Sequence, residues 1–328
     1  MTVVVRTVPH HAVSRACVAA IGNFDGVHRG HQHLIHQLKE HAQRLSLPIK
    51  AVVFEPQACE FLAPDRAPPR LFSLREKIQH LRHYGVDDVC CLRFNHALSH
   101  MSPDVFAQDL LFGQLNIKYL CVGEDFRFGN CRTGDHEVLK KHANTHSATV
   151  DVRPTLTHQH EKISSTRVRG ALQRGDCEQA KLLLGHYYSV SGRVTYGQGL
   201  ARQWGIPTAN IPMNRRELPV WGVFCVLVAI PGEPLHRGVA NMGLRPTLHG
   251  KQRVLEVHVF DLNRSLYGQR MTVYFVHRLR DEIKFASIDA LRTQLMQDVV
   301  QAQEFFTTQD QDTVLDHTLL IPSTYAYV

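Results

Sequence analysis

The sequence predicts an α/β domain with a parallel sheet, followed by a small antiparallel β-barrel with a terminal helix. In the first half of the chain, short apolar segments alternate with helical patterns, which is typical of a parallel sheet covered on both faces. From about residue 186, β-branched segments are separated by Gly and Pro, which favours a barrel. The predicted domains therefore span residues 1–185 and 186–328.

Alternating patterns define the elements of the first domain. Its predicted strands are Val18–Ile21, Ile49–Phe54, Val86–Phe94, Ile117–Val122 and Ala148–Val152. Ser73–His83 has a helical pattern, and Ser102-Pro103 provides an N-cap and a first residue for a helix that runs to about Leu115. Two further helical patterns, Thr166–Arg174 and Glu178–Leu184, are expected to close this domain.

The second domain has fewer helical patterns. Strands are predicted at Gly222–Ile230, Arg253–Leu262 and Met271–Arg278, and the first of these is apolar on both faces, as a central strand would be. The polar segment Gly238–Thr247 is interpreted as a loop that follows a strand. One long helix is predicted over Ser287–Phe306, with Ser287 as its N-cap.

Composition limits the class of function. A chain of 328 residues with a net charge of +7 is long enough for two domains and suits anionic ligands. No Lys/Arg run is interleaved with aromatic residues, so nucleic-acid binding is not expected. The 8 Cys residues form no Cys-x-x-Cys pair, which favours buried thiols in a reducing compartment. No signal peptide or membrane-spanning stretch is recognised, so a cytoplasmic protein without an obligate protein partner is expected.

The most informative segment is residues 22–31, Gly-Asn-Phe-Asp-Gly-Val-His-Arg-Gly-His. It joins a predicted buried strand to a helix, and such a turn presents backbone N–H groups and a helix N-terminus to an anion. Gly22, Gly26 and Gly30 allow close backbone approach. His28 and His31 add cationic or hydrogen-bonding side chains, so the segment predicts a site for a nucleoside triphosphate.

This segment also allows other interpretations. It lacks the Gly-Lys-Ser/Thr ending of a P-loop, and Gly22-x-x-x-Gly26 does not fit the dinucleotide fingerprint. It could be a buried glycine turn whose histidines pair with backbone. It could also be a zinc site formed by the four neighbouring histidines His28, His31, His33 and His36. A helix, however, would place His33 off the face that the others share.

A second segment with phosphate-binding chemistry lies at Ser164-Ser165-Thr166, at the start of a predicted helix. Hydroxyl groups there can cap the helix and donate to phosphate. Arg167 and Arg169 could reach phosphate oxygens, in bidentate fashion if they are suitably oriented. The alternative is an ordinary N-cap followed by solvated arginines.

In the second domain, a glycine-rich segment from Gly192 to Gly205 leads to Pro207-Thr208-Ala209-Asn210. Such a flap can fold over a nucleotide, and the Thr208 hydroxyl and Asn210 carbonyl oxygens suit Mg²⁺. In the strand that follows, alternation places Glu256, His258 and Phe260 on one face. Glu256 could accept a proton from a hydroxyl nucleophile. An ordinary loop and a solvent-facing glutamate are the alternatives.

The His-x-Gly-His motif resembles that of the HxGH nucleotidyltransferases. Together the segments resemble, in order and over nearly the whole chain, the bacterial bifunctional riboflavin kinase/FAD synthetases; they are Gly22–His31, Gly123–Gly129, Ile163–Arg169, Pro207–Asn210, Gly238–Thr247 and Leu255–Asp261. The resemblance implies a Rossmann-like FMN adenylyltransferase domain and a riboflavin kinase barrel. Riboflavin, FMN and ATP would be the small-molecule partners, FAD the product and Mg²⁺ the metal.

The resemblance also implies roles for individual residues. The catalytic residues would be His28, His31 and Arg169 in adenylyl transfer and Glu256 as the kinase base. Nucleotide and phosphate binding would involve Gly22, Asn23, Phe24, Asp25, Gly30, Ser164, Ser165, Thr166, Gly197 and Arg202. Flavin would contact Asp125, Phe126, Asn241 and Arg245, and Thr208 and Asn210 would hold the metal. The chain departs from the family pattern at Trp204 and Ile206 in the flap, and Glu124 adds a charge near anionic substrates.

Overall fold

The computed structural model describes residues 4–6, 13–197, 199–213, 217–247 and 250–308, with only the backbone at 4–6, 245–247 and 250–252. The chain divides into two compact units. The first holds the chain as far as Ser164, apart from Pro69–Phe72. The second holds those four residues and the chain from Ser165 onward.

The first unit is built on a parallel sheet, as predicted. Its six strands are β1 Val4–Arg6, β2 Cys17–Ile21, β3 Ile49–Glu55, β4 Asp88–Arg93, β5 Ile117–Gly123 and β6 Thr149–Arg153. They are arranged in the order β1-β4-β3-β2-β5-β6, and every neighbouring pair is parallel. Since β2 and β5 are neighbours, the segments that follow them leave the sheet at the same edge.

The first unit also contains α-helices. They are α1 Arg29–Leu45, α2 Ala58–Leu62, α3 Leu74–His83, α4 His96–Ser99, α5 Pro103–Val105 and α6 His136–Thr145. Of these, α1, α3 and α6 contact the sheet. The Ser102 hydroxyl caps α5 as predicted, and the chain continues from it as a π-helix over Phe106–Gln114. Helix α1 contacts β2, β3 and β5 through a buried face that includes Ile35 and Leu38. A short hairpin, β7 Thr157–His158 and β8 Glu161–Lys162, completes the unit.

The second unit is an antiparallel near-barrel with helices. Its elements are α7 Ser165–Gln173, α8 Cys177–Leu184, β9 Ser189–Arg193, β10 Ala209–Pro212, β11 Gly222–Ala229, β12 His236–Thr247, β13 Gly250–Val259, β14 Arg270–Arg280 and α9 Ile288–Thr308. The strand order is β10-β13-β12-β11-β14-β9. The two ends of the sheet approach where the Thr195 amide donates to the Asn210 carbonyl oxygen at 2.8 Å. This bond nearly closes the barrel.

The structure corrects one element of the barrel. The predicted loop Gly238–Thr247 lies within strand β12, which pairs with β11 on one side and with β13 on the other. Its buried residues, among them Val239 and Met242, belong to the barrel core. A Cβ at Gly238 would lie 2.5 Å from the His258 carbonyl oxygen, so glycine here permits close pairing with β13 and does not mark a loop.

Helices α7 and α8 form where they were predicted, but they pack with the barrel unit. Helix α8 contacts β14, and α7 and α8 contact each other. The contact boundary therefore falls at Ser165, before the predicted boundary at 185/186, which stays a prediction for the functional domains. In the described part of the chain, no helix combines the length and hydropathy needed to cross a membrane.

Candidate active sites

The turn between β2 and α1 has an unusual backbone. Phe24, Gly26 and Val27 have φ angles of 46°, 78° and 41°. This is the left-handed region, which glycine adopts readily but bulky or β-branched residues such as Phe24 and Val27 rarely do. Phe24 and Val27 are fully buried, so packing holds the turn in this conformation. Strained backbone of this kind concentrates at binding sites, and successive N–H groups in such turns form concave anion sites.

The two histidines of the turn stack on each other. The ring centroids of His28 and His31 are 3.7 Å apart at an interplanar angle of 19°, and the Phe24 ring centroid lies 5.0 Å from that of His31. A Cβ at Gly30 would lie 3.1 Å from Nδ1 of His28. The glycine therefore allows the His28 ring to lie over the first turn of α1.

This environment disfavours a charged His31. Burial, followed by the positive charges of His28 and Lys77, holds the pKa of His31 well below its usual value. Lys77 lies fully buried in α3. A neutral His31 ring carries one N–H donor, so near neutral pH it can donate a hydrogen bond to a phosphate oxygen without being a cation.

Helix α1 begins after His28, the N-cap residue, whose backbone is extended. The His28 side chain makes no capping hydrogen bond to the helix. Gly22 and Asn23 precede the strained turn, and Asp25 within it is buried. The zinc interpretation finds no support, because His33 and His36 are exposed and the described residues contain no group of three or more His, Cys, Asp or Glu suited to a metal.

The segment that follows β5 holds its charges in local contacts. Asp125 forms an ion pair with Lys162. The Glu124 carboxylate accepts a hydrogen bond from the Thr155 amide at 2.9 Å, and the bonds to Thr155 lower the pKa of Glu124. The sequence predicts that Glu124 adds a negative charge near anionic substrates. In the structure this carboxylate is hydrogen-bonded to the backbone of Thr155.

An aromatic cluster surrounds Phe126, whose ring stacks on that of Phe128 with centroids 5.6 Å apart. Phe54 and Phe94 pack against the same core. Phe54 lies near the carboxyl end of β3 and Phe94 directly follows β4, so both lie at the same edge of the sheet as the segments that follow β2 and β5.

Helix α7 begins at Ser165, as the hydroxyl-rich segment predicts. Ser164 and Ser165 are partly buried, and Thr166 is exposed. Arg169 is 8% exposed, and its Nε donates to the Pro69 carbonyl oxygen at 2.5 Å. Arg169 is therefore not a solvated arginine, and a triphosphate-binding role for this segment stays a prediction.

The barrel contains two adjoining cavities. The smaller, about 290 Å³, is lined by apolar side chains that include Trp204, Phe285 and Leu295 and by the polar Asn241 and Glu256. The larger, about 910 Å³, is lined by both apolar and polar residues; its polar and glycine residues include Gly197, Gly199, Arg202, Thr208, Asn210, Asn263, Arg264 and Tyr267. Gly199, Thr208 and His258 line both cavities.

Three polar residues form a row across the barrel strands. Glu256 on β13 lies opposite Asn210 on β10 and opposite Asn241 on β12. Residues directly opposite in antiparallel strands direct their side chains to the same face. The strand pairing therefore brings together three residues that sequence analysis took from three separate segments. Arg245 lies on β12, but its side chain is outside the described part of the structure.

The Asn210 side chain is confined. It is 4% exposed, and Nδ2 donates to the Thr208 carbonyl oxygen at 3.3 Å. A Cβ at Gly197 would fall on the Asn210 side chain, 2.7 Å from Cγ, so this glycine forms a cradle over the carboxamide. The amide and Thr208 hydroxyl oxygens are neutral, hard ligands, which fit Mg²⁺ that keeps phosphate and water in its other positions.

Comparison with known proteins identifies the family. The FAD synthetase family model matches residues 10–167, and the riboflavin kinase family model matches residues 184–306. The chain belongs to the bifunctional riboflavin kinase/FMN adenylyltransferase family. Like the family's enzymes, it has both activities and makes FAD from riboflavin through FMN.

Relatives of this family match along most of the chain. The bifunctional riboflavin kinase/FMN adenylyltransferase of Escherichia coli K12 is 43% identical over 90% of this chain and 94% of its own length. The Pseudomonas fluorescens protein of the same name is 44% identical over the same shares. A crystal structure of a protein described as a macrolide-efflux protein from Streptococcus pneumoniae superposes with a TM-score of 0.77 at 30% identity, covering 91% of this chain and 96% of that one.

For a riboflavin kinase/FMN adenylyltransferase, the smaller cavity contains residues that sequence analysis did not assign. The inner face of α9 contributes the apolar residues Leu291, Leu295 and Val299. Two polar residues, Arg280 and Asp298, also line the cavity. Trp204 and Ile206, the two departures in the flap, line the same cavity. The amphipathic pattern of the predicted terminal helix could have indicated its inner face, but it could not show that the face lines a cavity.

Proposed function

We propose that the smaller barrel cavity binds riboflavin, that the larger binds Mg-ATP, and that Glu256 is the general base between them. The row Asn210–Glu256–Asn241 carries this proposal, because it sets one carboxylate between a residue of each cavity. The apolar lining suits an isoalloxazine ring. The glycines and the polar side chains of the larger cavity, among them Arg202 and Arg264, suit a nucleoside triphosphate.

The chemistry of the kinase step follows from this arrangement. Glu256 accepts the proton of the riboflavin 5′-hydroxyl while the oxygen of that hydroxyl forms a bond to the γ-phosphorus of ATP. The bond between the γ-phosphorus and the β–γ bridging oxygen breaks, and ADP is released. Thr208 and Asn210 would hold Mg²⁺, which neutralises charge on the phosphates when bound. Asn241 orients the flavin beside the base. The protein contributes mainly position and electrostatic stabilisation.

For the adenylyl transfer, we propose that the turn before α1 binds the phosphates of ATP. The FMN phosphate oxygen attacks the α-phosphorus, and the bond to the β-phosphate oxygen breaks to release pyrophosphate. His28, His31 and the first turn of α1 supply hydrogen-bond donors to the charge that develops. Asp125 and Phe126 would contact FMN at the same edge of the sheet, since β2 and β5 are neighbours.

Replacement of the base tests the proposal for the barrel. Glu256→Gln preserves size and hydrogen bonding but removes the proton acceptor, so FMN formation should fall about 10²–10⁴-fold. FAD formation from supplied FMN should persist. Glu304→Gln, an exposed carboxylate on α9, is the matched control. Separation of FMN and FAD after incubation with Mg-ATP measures both steps, and near-normal FMN formation by Glu256→Gln would remove Glu256 from the mechanism.

We also propose a cytoplasmic location. All 8 cysteines lie in the described part of the chain, and none of them forms a disulfide. Burial raises the pKa of the Cys91 thiol to about 11, so this thiol stays protonated. Thiols of this kind are typical of proteins in reducing compartments, and labelling of cell fractions with an antibody tests the location.

A further inference from the structure

His258 links the two cavities of the barrel, and the mechanism above gives it no role. It lies two residues after Glu256 on the same face of β13 and lines both the smaller and the larger cavity. The β10–β13 pairing joins Asn210 to Glu256 and Ala209 to Val257. One step further in the same register, Thr208 comes opposite His258.

The His258 ring has a defined tautomer. Its Nδ1 lies 2.9 Å from the Pro207 carbonyl oxygen, and a carbonyl oxygen can only accept, so Nδ1 carries the hydrogen. The Phe260 ring packs against it edge-on, with centroids 5.7 Å apart. The orientation of the imidazole is therefore fixed on one side by a hydrogen bond and on another by an aromatic ring.

The bond reaches the residue that precedes Thr208. Proline has no backbone N–H, so the carbonyl group is the only hydrogen-bonding group that Pro207 itself offers. On the other side of Thr208, its own carbonyl accepts from Asn210. These two bonds, one before and one after Thr208, define the path of the backbone that carries its hydroxyl between the cavities.

We propose that His258 is a positioning residue for the kinase step: it fixes the Pro207 carbonyl and thereby sets the Thr208 hydroxyl at the boundary of the two cavities. This inference rests on the proposed role of Thr208 in holding Mg-ATP. Without the bond, the segment 207–210 gains freedom at the position where phosphate and metal must be aligned. Small displacements of such groups cost large factors in rate.

Two substitutions separate the ring nitrogens. The amide nitrogen of Asn can replace the donor at Nδ1, whereas that of Gln lies nearer the position of Nε2. In the full-length enzyme, His258→Ala and His258→Gln should lower kinase kcat/KM for Mg-ATP by about 10-fold or more, with KM for riboflavin changed much less. His258→Asn should remain within about threefold of wild type, as expected for a retained hydrogen bond.

Calorimetric titration with Mg-ADP, which only the kinase step releases, gives a readout besides activity. Affinity should fall in the Ala and Gln variants and recover in the Asn variant. Equal loss in the Asn and Gln variants, recovery by Gln alone, unchanged kinetics in the Ala variant, or unfolding of all three variants would overturn the proposal.

Thr208→Ala and Glu256→Gln are assayed alongside. If these two variants abolish the kinase step while His258→Ala does not, the inference about His258 alone fails. If Thr208→Ala and Glu256→Gln leave the kinase step intact, the proposed function fails.

Discussion

Gly197 and Asn210 lie so close together that a side chain at the glycine has no space. A Cβ there would lie 2.7 Å from Cγ and 2.8 Å from Oδ1 of Asn210. The carboxamide is almost fully buried, and the open space beside it is the larger cavity that it lines. The contact joins the glycine-rich segment to the residue proposed as a metal ligand.

Gly197→Ala should therefore impair the kinase step by displacing the Asn210 carboxamide. We expect kinase kcat/KM for Mg-ATP to fall about 10²-fold, as for other small displacements at a reacting centre. FAD formation from supplied FMN should be unaffected. Gly232→Ala is the control: it has a φ of 83° but no atom within 4 Å of the added Cβ, so it should cost about 1 kcal/mol of stability through backbone strain and leave the kinase intact.

Much of the fold could be predicted because periodicity reports burial. Strand β2 is buried along its whole length and β13 alternates, with Leu255 and Val257 buried and Glu256 between them partly exposed. Strand β12 was missed because its polar and glycine residues resemble a loop. Its pairing with two neighbours, which local sequence does not contain, decides its conformation.

The adenylyl-transfer site leads to a second prediction. His28→Ala and His31→Ala should each lower FAD formation from FMN by about 10²–10³-fold, because each removes a donor to charge that develops in the transition state. FMN formation from riboflavin should stay near wild type in the same samples. A similar loss of both activities would indicate general misfolding and count against a local role for the histidines.

A third prediction concerns acid stability. The pKa of His31 in the folded chain is well below its usual value of 6.5. At a pH between these two pKa values, His31 is protonated in the unfolded chain but neutral in the folded chain. Stability must therefore fall as pH drops below about 6.5. Denaturant unfolding at pH 7.5 and 5.5 should show a smaller loss for His31→Gln than for wild type. Equal losses would mean that His31 protonates as readily in the folded chain as in the unfolded one.

The residues of the candidate sites were less predictable than the fold. Glycine turns and the Pro-Thr-Ala-Asn segment could be recognised because their chemistry is local. The opposition of Asn210, Glu256 and Asn241 depends on strand register. The neutral state expected for His31 depends first on its burial in the folded chain, and then on the charges of His28 and of Lys77 from another helix. Neither is encoded within a single short segment.

The fourth prediction concerns the ion pair between Arg280 and Asp298. Nε and one terminal nitrogen of Arg280 donate to the two Asp298 carboxylate oxygens at 2.7 and 2.6 Å, and Gln294 donates to the same carboxylate at 3.0 Å. Asp298 is 1% exposed, so the pair joins α9 to β14 in a buried place beside the smaller cavity. Charged hydrogen bonds of this bidentate form are strong and directional.

Asp298→Ala should therefore destabilise the barrel by about 1.5–3 kcal/mol, because the Arg280 guanidinium, whose side chain is only 17% exposed, loses its charged hydrogen bonds to the carboxylate. Since α9 lines the smaller cavity, KM for riboflavin should rise in the same variant.

Asp281→Ala is the matched control. It removes the ion pair of the nearby Arg278, but the Asp281 carboxylate is 80% exposed, so little stability should be lost. The double variant Arg280→Met/Asp298→Leu should recover stability, since no buried charge remains, but not riboflavin affinity if the pair also orients α9. Thermal unfolding and riboflavin titration measure the two effects separately, and a single Asp298 variant as stable as the Asp281 control would show that α9 is held by its apolar face alone.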